Sequence, residues 1–276
     1  MNADALTHTA LGKQSEYPAA YTPSLLCAIP RSFGRDALHI DSENLPFAGV
    51  DIWNAYELSW LDERGKPQIA VAELQFPCTS SAIIESKSLK LYLGSFNGTR
   101  FDGIVDVQKT LESDLSVNAK APVAVKLSTL DQCPQQAIGT LQGESLDDLS
   151  VTIDAYQPDP SLLSISSQQQ RHESVHTHLF RSLCPVTGQP DWASVYIAYS
   201  GRGIDRSALL RYLISYREHQ DFHEQCVERI FLDINEATQP ERLTVYARYL
   251  RRGGLDINPF RSNAGVSVDN IRLVRQ

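Results

Sequence analysis

The first place this chain could do chemistry is a cysteine in a turn-rich loop, Cys184 of the stretch RSLCPVTGQPDW (residues 181–192). Loops present side chains to ligands more readily than apolar helix faces do. Asp191 follows seven residues later, at the start of an alternating stretch, and a loop folded back between them would bring carboxylate and thiol together. A neighbouring acid raises a thiol's pKa, so Asp191 suits a proton shuttle better than an electrostatic activator. A structural cysteine and a turn aspartate fit the same two positions, and residue type alone does not separate these readings.

Three further groups carry polar atoms at useful spacings. Phe222, His223 and Glu224 stand directly before a helical pattern at 225–234, where a donor and a carboxylate could meet one ligand. Ordinary helix-start chemistry is the plainer reading. No HExxH pattern follows, since the residue four beyond His223 is Val227, and no metal site is expected. In the stretch Ile84 to Tyr92, Glu85 lies among Ser86, Lys87 and Lys90, which would suit a polar heterocycle beside phosphates or merely form a solvated face. Finally, Gly253 and Gly254 form a turn flanked by Arg251 and Arg252, able to hold phosphate through guanidinium and backbone N–H groups. No GxGxxG follows a strand there, so a dinucleotide would not be bound in Rossmann fashion.

The elements that must position these groups are legible in outline. Residues 1–45 read as an irregular lead-in. Asp51 to Leu61 and Gln68 to Phe76 read as strands around a turn at Asp62 to Pro67, Val107 to Leu115 has helical spacing, and Ala121 to Leu127 is a strand. Residues 155–175, with a DPS turn and the glutamine run 168–170, read as a linker between a module at 46–154 and one at 176–276. In the second module Trp192 to Tyr199 is a strand, Gly201 to Gly203 a turn, Glu224 to Ile234 a helix and Leu243 to Tyr249 a strand.

The halves align at a shift of 120 residues. Ile84, Glu85, Leu89, Tyr92, Leu93, Ser95 and Phe96 fall on Ile204, Asp205, Leu209, Tyr212, Leu213, Ser215 and Tyr216. With one or two residues inserted, Val107 to Leu115 falls on 228–236, and Val123 to Val125 on Val245 to Ala247. Seven matches at one shift point to duplication and to a module of strand, strand, helix, strand, an α+β architecture of antiparallel sheet with helices on one face.

Composition sets the outer limits. The 276 residues are 42% hydrophobic and carry a formal net charge of −8, which gives no general pull toward nucleic acid or anionic membrane. No apolar run reaches the roughly 18–20 residues of a membrane helix, and Met1 to Tyr17 lacks the apolar core of a secretory signal. Five scattered cysteines, at 27, 78, 133, 184 and 226, form neither a disulfide framework nor a zinc pattern, and point to the cytoplasm.

Taken together the segments ESKSLKLYLGSFN (85–97), CPVTGQPDW (184–192), FHEQCVERIF (222–231) and YLRRGGLDINPFRS (249–262), with LPFAGVDIWNAYELSWL (45–61), closely resemble the NADPH-dependent 7-cyano-7-deazaguanine reductases in their long, two-module form. The resemblance runs from about residue 10 to the C-terminal LVRQ. It implies tandem tunnelling-fold modules, which assemble into barrels and bind purine-like rings at module interfaces. It also implies reduction of the nitrile of 7-cyano-7-deazaguanine to 7-aminomethyl-7-deazaguanine by two NADPH, a step of tRNA queuosine biosynthesis that acts on the free base and needs no nucleic acid. By the same resemblance Cys184 would be the nucleophile of a covalent thioimide and Asp191 the proton donor. Glu85, with Ile84 and Ser86, would grip the base's amidine edge, His223 and Glu224 would complete the pocket, and Phe222 would cover the ring. Ser86, Lys87, Arg252 and Gly253 would contact NADPH, and the family suggests a homodimer. Two rival classes are an idle tunnelling-fold protein that holds a purine or pterin, against which Cys184 and Asp191 together argue, and a hydrolytic cysteine enzyme, which would consume no NADPH.

Overall fold

A computed structural model describes residues 18–133 and 138–276, so the expectations for Met1 to Tyr17 lie outside the described residues. Among the described residues no helix is long and apolar enough to cross a membrane. The chain folds into two compact units.

The first unit takes the described part of Met1–Leu45 together with Val50–Gln136 and Arg251–Asp256. Its elements are β1 (Ala28–Pro30), α1 (Ser32–Arg35), β2 (Ala48–Leu61), β3 (Pro67–Pro77), β4 (Ala82–Ile84), α2 (Ser86–Gly94), α3 (Ile104–Ala119) and β5 (Ala124–Ser128). Strands β5, β3 and β2 are neighbours in antiparallel order, while β1 and β4 pair separately. Helix α3 forms because Val107, Leu111, Leu115 and Ala119 recur every four residues, and all four are fully buried. Arg31 and Asp51 form an ion pair of 2.6 Å within this core.

The second unit takes Pro46–Gly49, Ala137–Leu250 and Ile257–Gln276. It contains β6 (Glu144–Ser145), β7 (Ile165–Leu183), β8 (Pro190–Ile204), α4 (Arg206–Ile214), α5 (His223–Thr238), β9 (Arg242–Tyr249) and, from Ile257 on, β10 (Leu255–Ser262). The strands run in the order β10-β9-β8-β7-β6, antiparallel except for the short parallel β6–β7 pair. Odd positions of β8 from Asp191 to Tyr199 are buried, and α5 packs on β8 and β9. This is the α+β arrangement of antiparallel sheet and helices that the residue pattern predicts.

Two local expectations give way to longer strands. Ile165 to Leu183 is one strand, so pairing begins inside the stretch read as linker. Gly201 and Gly203 do not turn the chain but lie inside β8. They are glycines because of crowding: a Cβ at Gly201 would stand 2.9 Å from the Pro240 Cα, and one at Gly203 3.1 Å from the Arg171 side chain.

The duplication is present in detail. Helices α2 and α4 each span nine residues at a shift of 120 and are each capped by an acid, Glu85 accepting from Lys87 and Ser88 N–H and Asp205 from Ala208 N–H. Ser95 and Ser215 each donate to the carbonyl of the tyrosine three residues earlier, at 2.6 Å. Tyr92 donates to Asp114 and Tyr212 to Asp233. The second helix corrects the alignment by sequence: α3 matches α5 at a shift of 119, not the 121 of residues 228–236. At 119 the buried Val107, Leu111 and Leu115 meet the buried Cys226, Ile230 and Ile234, whereas 121 would put exposed Glu236 opposite Leu115. Asp205→Ala is expected to lower stability by about 1 kcal/mol through loss of the α4 cap, read by denaturant unfolding.

Candidate active site

The second unit assembles Cys184, Asp191, Phe222, His223 and Glu224. Strands β7 and β8 form a hairpin whose loop closes on itself. The Cys184 N–H donates to the Gln189 carbonyl at 2.9 Å, and the Gly188 N–H donates back to the Cys184 carbonyl at 3.0 Å, with Gly188 at φ 65°. Asp191 sits opposite Ser182 across the ladder. Residues paired across a ladder share a face, so Ser182 and Asp191 point the same way, and Cys184 follows Ser182 by two residues, just past the end of β7. Burial agrees: Ser182, Asp191 and Cys184 are 0%, 4% and 9% exposed. The thiol therefore sits in a loop, as expected, yet nearly out of solvent, which the expectation of an accessible loop did not include. The reason is the tethering of the hairpin end. Leu183 N–H donates to the His219 carbonyl at 2.8 Å and Asp221 N–H to the Leu183 carbonyl at 3.2 Å, drawing the segment before α5 alongside it.

That tether delivers the start of α5. Phe222 is its N-cap residue, and the helix begins at His223, one or two residues before the start at 224 or 225 that the sequence suggests. His223 Nε2 lies 3.2 Å from Asp191 Oδ2, and its ring stacks on that of Tyr249, with centroids 3.8 Å apart and planes 9° from parallel. Glu224 is buried in the first turn, where the helix dipole favours its anion. Tyr249 is positioned by β9, where it pairs with Ala193 of β8.

Around this pair lie groups that residue spacing did not single out. Burial pushes the Cys226 thiol well above its ordinary value, and the Asp221 carboxylate nearby adds to this. Burial likewise pushes the Tyr249 phenol well up, with Cys226 and Asp191 contributing. His219 Nε2 stands 3.4 Å from Asp221 Oδ2. Only strand register could have revealed this grouping, and the sequence carries no local mark of it.

The first unit gathers Ile84, Glu85, Ser86, Lys87, Arg252 and Gly253. Ile84 ends β4, paired with Ala28, and Glu85 N–H donates to the Cys27 carbonyl at 2.9 Å. The Glu85 carboxylate accepts from Lys87 N–H at 2.7 Å and Ser88 N–H at 2.8 Å, one bond to each oxygen. Each oxygen keeps a further acceptor position. The side chain is fully buried, and that burial raises its pKa above the ordinary carboxylate range against the opposing pull of these N–H groups and of Lys90 and Lys87. Burial, then Glu85, pushes the Cys27 thiol up in turn.

Gly253 and Gly254 both have positive φ, 55° and 73°. A Cβ at Gly253 would lie 3.2 Å from the Lys90 side chain, and one at Gly254 2.5 Å from Glu57 Cδ, so only a bare backbone fits this turn. The Arg251 guanidinium lies over the Tyr56 ring at 3.9 Å. A basic turn beside the lysines of α2 has the charge and exposed backbone that a phosphate-bearing cofactor requires. An open cavity of about 610 Å³ elsewhere in the second unit, walled by Tyr196, Tyr246 and Phe260, is lined by none of the predicted site residues.

The chain is similar to known proteins over nearly its whole length. Two family models match, one described as nitrile reductase, 7-cyano-7-deazaguanine-reductase N-term, over residues 17–127, and one as QueF-like protein, over residues 190–266. The NADPH-dependent 7-cyano-7-deazaguanine reductase of Dechloromonas aromatica (strain RCB) is 52% identical over 275 residues, which covers 99% of this chain and 97% of that protein. A crystal structure of the archaeosine synthase QueF-Like in the apo form overlaps 37% of this chain and all of its own, at 19% identity and a TM-score of 0.31.

Proposed function

Because the chain belongs to the NADPH-dependent 7-cyano-7-deazaguanine reductases, we propose that it reduces the nitrile of 7-cyano-7-deazaguanine to an aminomethyl group through a thioimide on Cys184, as a step of queuosine biosynthesis. It is an NADPH-dependent oxidoreductase. The observation that carries the thiol step is the β7–β8 hairpin, in which Asp191 pairs with Ser182 and buried Cys184 follows two residues later in the closing loop, with His223 held on Asp191.

The thiol adds across the C≡N bond: sulfur bonds to carbon, and the S–H proton ends on nitrogen. Asp191 carries that proton and gives it to the nitrogen, while His223, clamped by Tyr249, fixes the carboxylate's direction. NADPH, when bound, supplies hydride, two per nitrile. After the first hydride reduces the thioimide carbon, Cys184 leaves as thiolate to give an imine, which the second hydride reduces to the amine, and the burial of the loop keeps water from the intermediate. Glu85 accepts from the amidine edge of the base beside the Ile84 and Ser86 backbone, Glu224 and His223 complete the polar contacts, and Phe222 covers the ring. Ser86, Lys87, Arg252 and Gly253 hold the cofactor. The protein works in the cytoplasm as a homodimer.

Mixing protein, 7-cyano-7-deazaguanine and NADPH should consume two NADPH per nitrile, followed by loss of nicotinamide absorbance; no consumption would end the proposal. Glu85 adds a pH dependence. Only its carboxylate accepts two donors from the base, so substrate binding should weaken as pH falls through its raised pKa, above the usual carboxylate range. Folding runs the other way, since a raised native pKa means that stability is lost as pH rises from the ordinary value through the native one. Glu85→Gln should raise KM about 10- to 100-fold and flatten its pH dependence over that interval.

A further inference from the structure

Three arginines surround one indole on the reverse face of the catalytic hairpin. Trp192 and Arg181 are partners across the β7–β8 ladder, on the face opposite Asp191 and Ser182. The guanidinium carbons of Arg181, Arg217 and Arg275 lie 5.6, 5.4 and 5.7 Å from the Trp192 ring centroid. They come from β7, from the turn after α4 and from the C-terminal turn, so the fold, not a run of sequence, gathers them.

Isolated surface arginines swing freely, but two of these are pinned by carbonyls. Arg181 donates Nε and Nη2 to the Arg217 carbonyl at 3.1 and 2.8 Å, and Arg275 donates Nη1 to the His178 carbonyl at 3.1 Å. None of the three forms an ion pair with a carboxylate among the described residues. Sharing one ring centroid, no two guanidinium carbons are more than about 11 Å apart. Three charges gathered that close, two of them pinned and none ion-paired among the described residues, repel one another on a chain whose net charge is −8. A multiply charged anion relieves that repulsion, and guanidinium forks match the oxygens of phosphate bidentately, as they do those of carboxylate.

We propose that Arg181, Arg217 and Arg275 around Trp192 form a binding site for an oligophosphate, meaning two or three linked phosphates free or on a nucleotide, separate from the residues assigned to NADPH. Trp53 and Trp60 are buried, so half-exposed Trp192 is the natural fluorescent reporter.

The test is a fluorescence titration of the full chain with tripolyphosphate and with ATP, repeated calorimetrically. Tripolyphosphate should bind saturably, compete with ATP, and weaken as salt is raised. Arg217→Ala combined with Arg275→Ala should weaken it at least tenfold, while Arg217→Lys with Arg275→Lys, which keeps the charge, should lie between. Lys87→Ala, at the assigned cofactor contact, should leave it unchanged. No saturable binding of tripolyphosphate by either method, or equal binding by the alanine double variant, would overturn the site. So would a chain that binds NADPH but not tripolyphosphate.

Discussion

Cys184→Ala is expected to form no adduct when mixed with 7-cyano-7-deazaguanine without NADPH, whereas the unchanged protein should gain the full mass of the substrate. No atom is lost, because the thiol proton moves to the nitrile nitrogen as the S–C bond forms. Reductase activity should fall by roughly 10,000-fold or more, since an unactivated nitrile accepts hydride poorly and losing a nucleophile removes the whole covalent route. The loop around residue 184 is held by backbone bonds to Gly188 and Gln189 and by Leu183 to His219, none of which needs sulfur. The variant should therefore unfold near the same denaturant midpoint. Cys184→Ser repeats the measurement with the size of the side chain kept. An adduct in either variant would move the nucleophile elsewhere, and Cys226, with its thiol pushed up by burial, is a poor replacement.

The residues that made this prediction possible were legible to different depths. Periodicity found α3 and α5 because their stripes are apolar at every fourth position. The residue types of 184–192 placed Cys184 and Asp191 on a turn, because Pro185, Gly188 and Pro190 punctuate it. β7 escaped because its exposed positions other than Leu179 are polar and its glutamine run imitates a linker, although Val175, Thr177, Phe180 and Ser182 are buried along it. A bulge between Thr177 and Phe180 breaks the alternation that would have revealed it. Gly201 and Gly203 read as a turn since the Pro240 and Arg171 contacts that demand them are distant in sequence. The same holds for the stacking of Tyr249 on His223, which depends on the register of β9 against β8. Chemistry-bearing types are visible in sequence; the partners that aim them are set by pairing between remote strands.

Asp191→Asn should leave the adduct able to form but slow its appearance by about 10²- to 10⁴-fold, the usual worth of a positioned proton-transfer group. The neighbours narrow the choice of proton carrier. Cys226 and Tyr249 are both pushed well above their ordinary values by burial, so they stay protonated at neutral pH and cannot take a proton from Cys184. Asp191 is the carboxylate that pairs with Ser182, two residues before Cys184, and meets His223 Nε2 at 3.2 Å. Asparagine keeps the shape and, through its carbonyl oxygen, the contact to His223, but it cannot carry a proton at working pH. Loss of rate with retention of geometry should appear as a fall in the rate constant of adduct formation and in kcat, with KM for the nitrile changed only a few-fold. A variant that formed adduct at the full rate would make Asp191 a structural partner of His223, and a variant whose KM alone rose would make it a binding residue.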